Sequence, residues 1–339
     1  MKGNCKSYQD PFNIFLMKPI IVILGPTATG KTKLAVHIAQ HIGGEILSAD
    51  SRQVYKGMDI GTGKDLAEYK GVNYHLIDIL EAGQQYSLFN YKNDFEKALE
   101  KIRQKDKWPV VCGGSGMYLE VALGLYNLKE VKVNNHFRER AEKLTNEELI
   151  SELEKLKKVH NKTDFLERDR LLRALEIALE ENSLSASSSQ LLINNISSEG
   201  DKSYHQPEHV TGYDQQPRTT LIYGVDASRQ EIRETITKRL KDRLNEGLIE
   251  EVKVLHSNGL SYESLKYYGL EYKYIAMYLL NELDYNQMFA LLNTAIHQFA
   301  KRQMTWYRRM EKRGIKIKWL PNDSDVFLSV ITEDIRSSI

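Results

Sequence analysis

Cysteine is scarce in this chain of 339 residues: there are two, Cys5 and Cys112, and Cys112 lies inside an apolar run. A disulfide framework is therefore not expected, and a reducing cytoplasm is the expected compartment. No apolar run reaches the ~18 residues that a membrane-spanning helix needs, so no membrane partner is expected. The N-terminal stretch MKGNCKSYQDPFNIFLMKP lacks the apolar segment and cleavage site of a signal peptide, and residues 1–17 read as a tail. No internal repeat is visible. Charge of one sign is also missing overall, since 47 Lys and Arg meet 46 Asp and Glu. Global charge thus says nothing about nucleic acid. Its distribution says more: residues 298–318, QFAKRQMTWYRRMEKRGIKIK, carry eight basic residues against one Glu. A local basic stripe on a neutral protein fits a nucleic-acid contact, and a solvated helix face fits it as well.

An ordinary soluble composition is present, with 41% hydrophobic and 27% charged residues. Residues 19–25 form an apolar run ending in Gly, which predicts a buried strand, and Leu34, Ile38 and Ile42 then recur at helical spacing. Strands are also predicted over 44–49, 74–80 and 219–226, with a strand running into a glycine turn over 108–116 and a helix over 87–104. Strands alternating with helices predict an α/β fold: a parallel sheet flanked by helices. Charged helical sequence fills roughly 127–180, and the Ser-rich residues 181–217 read as a linker. One long helix is predicted through Ile232, Ile236, Leu240, Leu244, Leu248, Val252 and Leu255, with Ser228 and Glu231 as a capping box. Residues 262–313 read as helical.

Between the first strand and helix stands Gly25-Pro26-Thr27-Ala28-Thr29-Gly30-Lys31-Thr32, a full G-x-x-x-x-G-K-[ST] phosphate loop in the strand–helix context that the motif requires. Its backbone N–H groups converge on phosphate oxygens, Lys31 adds a charge, Thr32 can ligate Mg²⁺, and the helix N-terminus favours an anion. Most such loops hold ATP or GTP. Asp50 ends the second strand, at the sheet edge that faces the ligand crevice; it could be a general base or a turn residue. Ser115, after Gly113 and Gly114, could bind an anion or simply sit in a turn. In RDRLLRALE, 168–176, Leu171, Leu172 and Leu175 make an apolar stripe with arginines off it. In AKRQMTWYRR, 300–309, basic residues interleave with Trp306 and Tyr307, as an RNA loop or a packed helix would both have it.

Taken in order, GPTATGKT, SADSRQVYKGMDIGTGK, GGSGMY, RDRLLRALE and AKRQMTW resemble the motifs of the tRNA dimethylallyltransferases, or tRNA isopentenyltransferases, the IPP transferase family. The resemblance runs from about residue 19 to 310. It implies a P-loop NTPase-like core over 18–126, a tRNA-contacting helical insertion over 127–166, a core helix over 167–180, the linker over 181–217, and a core strand with C-terminal helices over 218–325. The implied reaction moves a dimethylallyl group from dimethylallyl diphosphate to N6 of adenosine 37 in tRNAs that read codons starting with U, giving N6-isopentenyladenosine and diphosphate. The loop Gly25–Thr32 would then hold a diphosphate leaving group, with Mg²⁺ on Thr32. Asp50, Ser115 and Arg239 match catalytic positions. Asp50, Ser51, Arg52, Gln53, Asp169, Arg170, Leu171, Leu172, Arg173, Lys301, Arg302 and Gln303 match positions that contact the tRNA anticodon stem-loop. A monomer is expected.

The sequence departs from that pattern in places. Thr235 stands where a second arginine is expected one turn before Arg239, with Arg233 nearby. Glu271 stands where a basic residue is expected, with Lys273 two residues on. The insertion reads as short. Three other readings compete: a prenyltransferase on free adenine nucleotides, a non-catalytic RNA-binding relative, and a P-loop kinase.

Overall fold

A computed structural model describes residues 18–126, 128, 131–156, 168–195 and 218–338. The chain divides into two compact units, one of Met1–Asn127 with Gly212–Ile339 and one of Leu128–Thr211. The larger unit holds six strands: β1 Ile20–Leu24, β2 Gly44–Ala49, β3 Tyr74–His75, β4 Trp108–Gly113, β5 Thr220–Asp226 and β6 Lys318–Pro321. All pair in parallel, in the order β3-β2-β4-β1-β5-β6. The five residues of β1, IIVIL, are all buried, because a central parallel strand has helices over both faces and no solvent side.

On one face lie α1 (Lys31–Ile42), with Leu34, Ala35, Val36, Ile38 and Ala39 inward, and α12 (Ser324–Ser338), with Phe327 and Ile331 inward. α2 (Leu88–Gln104) buries Tyr91, Phe95, Leu99 and Ile102 and starts from Ser87, whose hydroxyl accepts the Asn90 N–H in a capping box. α3 (Gly116–Ala122) follows β4. Beyond β5, α7 (Arg229–Asn245), α8 (Leu248–Ser257), α9 (Tyr262–Leu265), α10 (Leu270–Leu279) and α11 (Tyr285–Lys312) share a second core around Leu240, Val252, Tyr272, Met288 and Leu292. The expected Ser228–Glu231 capping box opens α7.

In the smaller unit, α4 (Asn135–Ala141), α5 (Asn146–Leu156) and α6 (Arg168–Asn195) enclose Phe137, Leu149, Leu153, Leu171 and Leu175. Inside this core Glu176 accepts from Arg138 Nε at 2.8 Å and Arg173 Nη1 at 2.9 Å. Burial alone would push its carboxyl up, but these hydrogen bonds hold it below the ordinary carboxylate range.

Four expectations change. The 74–80 strand stops at His75, because Leu76 and Asp78 take left-handed backbone at φ 67° and 54°. The single helix through Val252 is two, broken at Gly247 with φ 102°. The leucines of 168–180 pack in the core of the smaller unit, and α6 runs to Asn195, well into the expected linker. Serine weakens a helix by only a few tenths of a kcal/mol per residue, so a Ser-rich stretch does not end one. Beyond 313, β6 and α12 complete the sheet and its cover. The expected tail and residues 196–217 lie outside the described residues. Since Phe327 is fully buried, Phe327→Ala is expected to lose about 3–5 kcal/mol of stability in denaturant unfolding.

Candidate active site

The order of the strands sets the place. β1 sends the chain one way to β2, while β4 and β5 flank it on opposite sides, so a crevice opens beyond the C-terminal ends of β1 and β4. The loop Gly25–Thr32 bends there with Gly25 at φ 159° and Gly30 at φ 73°. Its conformation is fixed from within and from afar. Thr29 Oγ1 donates to the Pro26 carbonyl at 2.9 Å, and Lys31 Nζ donates to the same oxygen at 2.6 Å. From α11, Gln303 Oε1 accepts the Thr27 N–H at 2.8 Å and its Nε2 donates to the Gly114 carbonyl at 2.9 Å. Tyr307 Oη, fully buried, donates to the Gly25 carbonyl at 2.9 Å.

Around this loop the crevice walls include Lys31, Thr32, Asp50, Arg52, Arg239 and Arg243. Asp50 follows β2, and its Oδ1 accepts the Arg52 N–H at 2.9 Å, which holds the carboxylate in a tight turn. Ser115 stands just before α3, and its hydroxyl accepts the Ser51 N–H at 3.2 Å rather than capping the helix, tying the β4 turn to the β2 turn. Gln53 is buried, donates to the Gly63 carbonyl at 3.2 Å and accepts from Ser48 Oγ at 3.0 Å. Arg52 donates to Glu271 Oε2 at 3.0 Å and lies over the Phe299 ring at 5.2 Å. Arg239 donates to Asp65 at 2.9 Å.

Positive charge here is desolvated. Burial, aided by the nearby Arg239 guanidinium, pulls the Lys31 ammonium from 10.5 down to about 8. Burial and Arg239 likewise pull Arg243 down to about 10. Cys112 is pushed up to about 11 by burial, so it is a packed thiol rather than a nucleophile. Cations lowered in this way gain from an anion that restores their charge.

Beneath the arginines runs the stretch 58–65. Gly63 has φ 62°, and a Cβ on it would run into both the Arg239 and Arg243 guanidiniums. Thr62 Oγ1 donates to the Met58 carbonyl at 2.5 Å. Lys64 is fully buried and held by Asp59, Asp78 and the Tyr55 carbonyl. The motif GTGK is thus a floor for guanidiniums and no second phosphate loop.

Other expected site residues lie elsewhere. Leu171 and Leu172 are core residues of the smaller unit, Arg173 is committed to Glu176 and the Val131 carbonyl, and Asp169 and Arg170 are exposed. On α11, Lys301, Arg302, Arg308 and Arg309 are exposed, whereas Gln303 is the buried brace described above. The aromatics between them face inward: Trp306 donates to Glu120 at 3.0 Å and carries Arg309 at 3.9 Å over its ring. Lys301 and Arg308 also rim a groove of about 750 Å³ with Arg229, Arg233 and His297. Among the described residues no group of three or more His, Cys, Asp or Glu is placed to hold a metal ion. Arg243 and Glu271's two arginine contacts were not read from the sequence; the spacing of Arg239 and Arg243, four residues apart on one helix face, was the available signal.

Fold and crevice together define a P-loop-type protein whose crevice gathers four half-buried cations and two carboxylates beside the loop. A family model for IPP transferase matches residues 53–310. Among curated relatives, a "tRNA dimethylallyltransferase 1" of Geotalea uraniireducens is 45% identical over 307 residues, covering 90% of this chain and 93% of that one. One of the same name from Parabacteroides distasonis is 43% identical over 305 residues, covering 89% and 92%. The crystal structure of a full-length tRNA isopentenylpyrophosphate transferase from Bacillus halodurans is similar with TM-score 0.65 and 27% identity, over 95% of this chain and 97% of that chain. A eukaryotic dimethylallyltransferase acting on tRNA, 22% identical with TM-score 0.70 over 90% and 74% of the chains, shares the fold. The chain belongs to the IPP transferase family.

Two outcomes are expected. Affinity for inorganic diphosphate, measured calorimetrically, falls as pH rises from 7 to 9, because Lys31 gives up its proton near 8; Lys31→Met flattens this slope. Gly63→Ala leaves the chain folded but weakens that affinity about tenfold, because both guanidiniums must move.

Proposed function

We propose that this chain transfers a dimethylallyl group from dimethylallyl diphosphate to N6 of adenosine 37 in tRNAs that read codons starting with U. What carries the reading is one crevice that joins the loop Gly25–Thr32, Lys31 and Arg239 to Asp50. The chemistry needs both halves. As the bond between the allylic carbon and the diphosphate oxygen breaks, negative charge grows on the leaving group. The loop N–H groups, Lys31 and Arg239 stabilise that charge. The new bond joins the allylic carbon to N6, and the N6 proton passes to Asp50, whose carboxylate is held in place by the Arg52 N–H. Ser115, bonded to the Ser51 N–H, keeps the turn after Asp50 in register.

Thr32 offers the crevice a hydroxyl oxygen of the kind that Mg²⁺ takes together with phosphate oxygens and water. When bound, Mg²⁺ would neutralise charge on the departing diphosphate. The adenosine has to leave its stack to reach the crevice, as in base flipping. The exposed Lys301, Arg302 and Arg308, beside the groove on α11, supply the backbone charge that an anticodon stem-loop needs. The protein acts as a cytoplasmic monomer.

The test is mass spectrometry of an unmodified anticodon stem-loop incubated with the protein, Mg²⁺ and dimethylallyl diphosphate. A gain of one prenyl group on adenosine 37 is expected. No gain with stem-loop binding intact would sink the reading in favour of a non-catalytic RNA binder, and transfer to AMP but not to the stem-loop would replace the RNA substrate by a free nucleotide. Asp50→Ala is expected to fold normally and to lower kcat about 10²–10⁴-fold, the range for loss of a general base.

A further inference from the structure

Two departures from the family pattern meet in space. Thr235 is exposed and absent from the crevice wall, so it does not replace an arginine there. Glu271 is buried at the wall and brings an acid where a base is expected. Lys273 does not offset it, being exposed and lying against the Tyr274 ring. Arg243 does. It sits one turn after Arg239 on α7, its side chain only 12% exposed, with Nη1 3.9 Å from Glu271 Oε1. That separation is an ion pair too long for a hydrogen bond, so Glu271 orients the guanidinium without occupying its five N–H donors. Glu271 Oε2 meanwhile takes Arg52 at 3.0 Å, which turns Arg52 away from free duty as an anion ligand.

We propose that Arg243 is a diphosphate ligand in this protein, paired with Arg239 in a double guanidinium fork, and that Glu271 is its positioning residue. The assignment rests on the diphosphate reading of the crevice given above. Four cations, Lys31, Arg52, Arg239 and Arg243, line the crevice against the two carboxylates Asp50 and Glu271. With Arg52 matched to Glu271, Lys31, Arg239 and Arg243 stand against Asp50 alone on the crevice wall, and Arg239 keeps one Nη on Asp65 at 2.9 Å while Arg243 has no such direct partner. Gly63 gives the fork its room, since any side chain there would displace both guanidiniums. Guanidiniums bind phosphate oxygens through paired N–H groups, so two forks one helical turn apart suit the two phosphoryl groups of a diphosphate. The charge that the family pattern places at 235 and 271 is thereby moved to 243 and kept at the same anion.

Calorimetric titration with inorganic diphosphate tests this, alongside steady-state kinetics with dimethylallyl diphosphate and an anticodon stem-loop. In Arg243→Met, diphosphate affinity is expected to drop about tenfold or more, the cost of losing charged hydrogen bonds. KM for the prenyl donor rises by a similar factor, while KM for the stem-loop stays within about twofold. Arg243→Lys, which keeps the charge but not the fork, restores part of the loss, and Glu271→Gln gives a smaller loss on the donor side alone. Unchanged diphosphate affinity in Arg243→Met, or a defect confined to the stem-loop, overturns the assignment. If Arg243→Met does not fold, Arg243→Lys decides: donor KM and diphosphate affinity equal to those of the unaltered protein overturn it. An unaltered protein that binds diphosphate through Arg243 but prenylates no RNA would sink the proposed function and leave this assignment standing.

Discussion

Lys31 places its ammonium on the Pro26 carbonyl, at the end of a strand with no solvent-facing side, and is deprived of enough water that its proton is held only to about pH 8. Everything around it follows from keeping such charge in place. The loop must be rigid enough to hold an ammonium off its preferred hydration, hence the Thr29, Gln303 and Tyr307 hydrogen bonds. The neighbouring arginines need anions of their own to remain folded in, hence Asp65 on Arg239 and Glu271 on Arg52. Asp50 is the one crevice carboxylate whose closest partner is a backbone N–H rather than a guanidinium, at 2.9 Å against 3.9 Å to Arg52 Nε. A carboxylate so placed is fixed in direction yet keeps an oxygen for a proton.

The helices beyond β5 serve this arrangement more than they extend the sheet. α7 delivers Arg239 and Arg243, α10 delivers Glu271, and α11 delivers Phe299, Gln303 and Tyr307. Their shared core, built on Leu240, Tyr272 and Leu292, fixes the distances between those groups. Tyr272 shows the coupling within a single side chain. Its ring packs that core, and its hydroxyl donates to Glu251 at 2.7 Å, a carboxylate that also accepts the N–H groups of Ile60 and Gly61 just before the Gly63 floor. Packing energy far from the crevice is thus spent on the position of a turn inside it.

How far the sequence revealed this depends on how local each feature is. The run IIVIL, the glycines of the loop, and the Ser87 and Ser228 caps are written in neighbouring residues, and the sheet, loop and helix starts were legible from them. The resemblance pointed to Asp50, Ser115 and Arg239, of which Asp50 and Arg239 stand on the crevice wall and Ser115 beside the Ser51 turn. Features that join distant positions were not legible. Gln303 in a basic stretch read as an RNA contact, because nothing in AKRQMTW says that Thr27 and Gly114 are its partners. Trp306 and Tyr307 fitted a stacking surface and a packed helix equally well in sequence, and only the fold shows Tyr307 buried on the Gly25 carbonyl and Trp306 bonded to Glu120. Glu271 read as a deficit until Arg52 and Arg243 came beside it. The Ser-rich composition after 181 suggested a linker, yet weak helix formers still continue a helix already begun, here to Asn195.

The clasp between α11 and the loop also bears on how the molecule is made. Thr27 and Gln303 are separated by 276 residues, and Gly25 and Tyr307 by 282. A ribosome adds residues at about 5–20 per second, so the N-terminal loop leaves the exit tunnel long before the helix that clasps it exists. During that interval the strand Ile20–Leu24 also lacks β5 on one side. The nascent chain therefore carries an open, apolar edge and an unclasped loop until β5 and α11 have been made, and no fragment that stops short of α11 can hold a finished anion site.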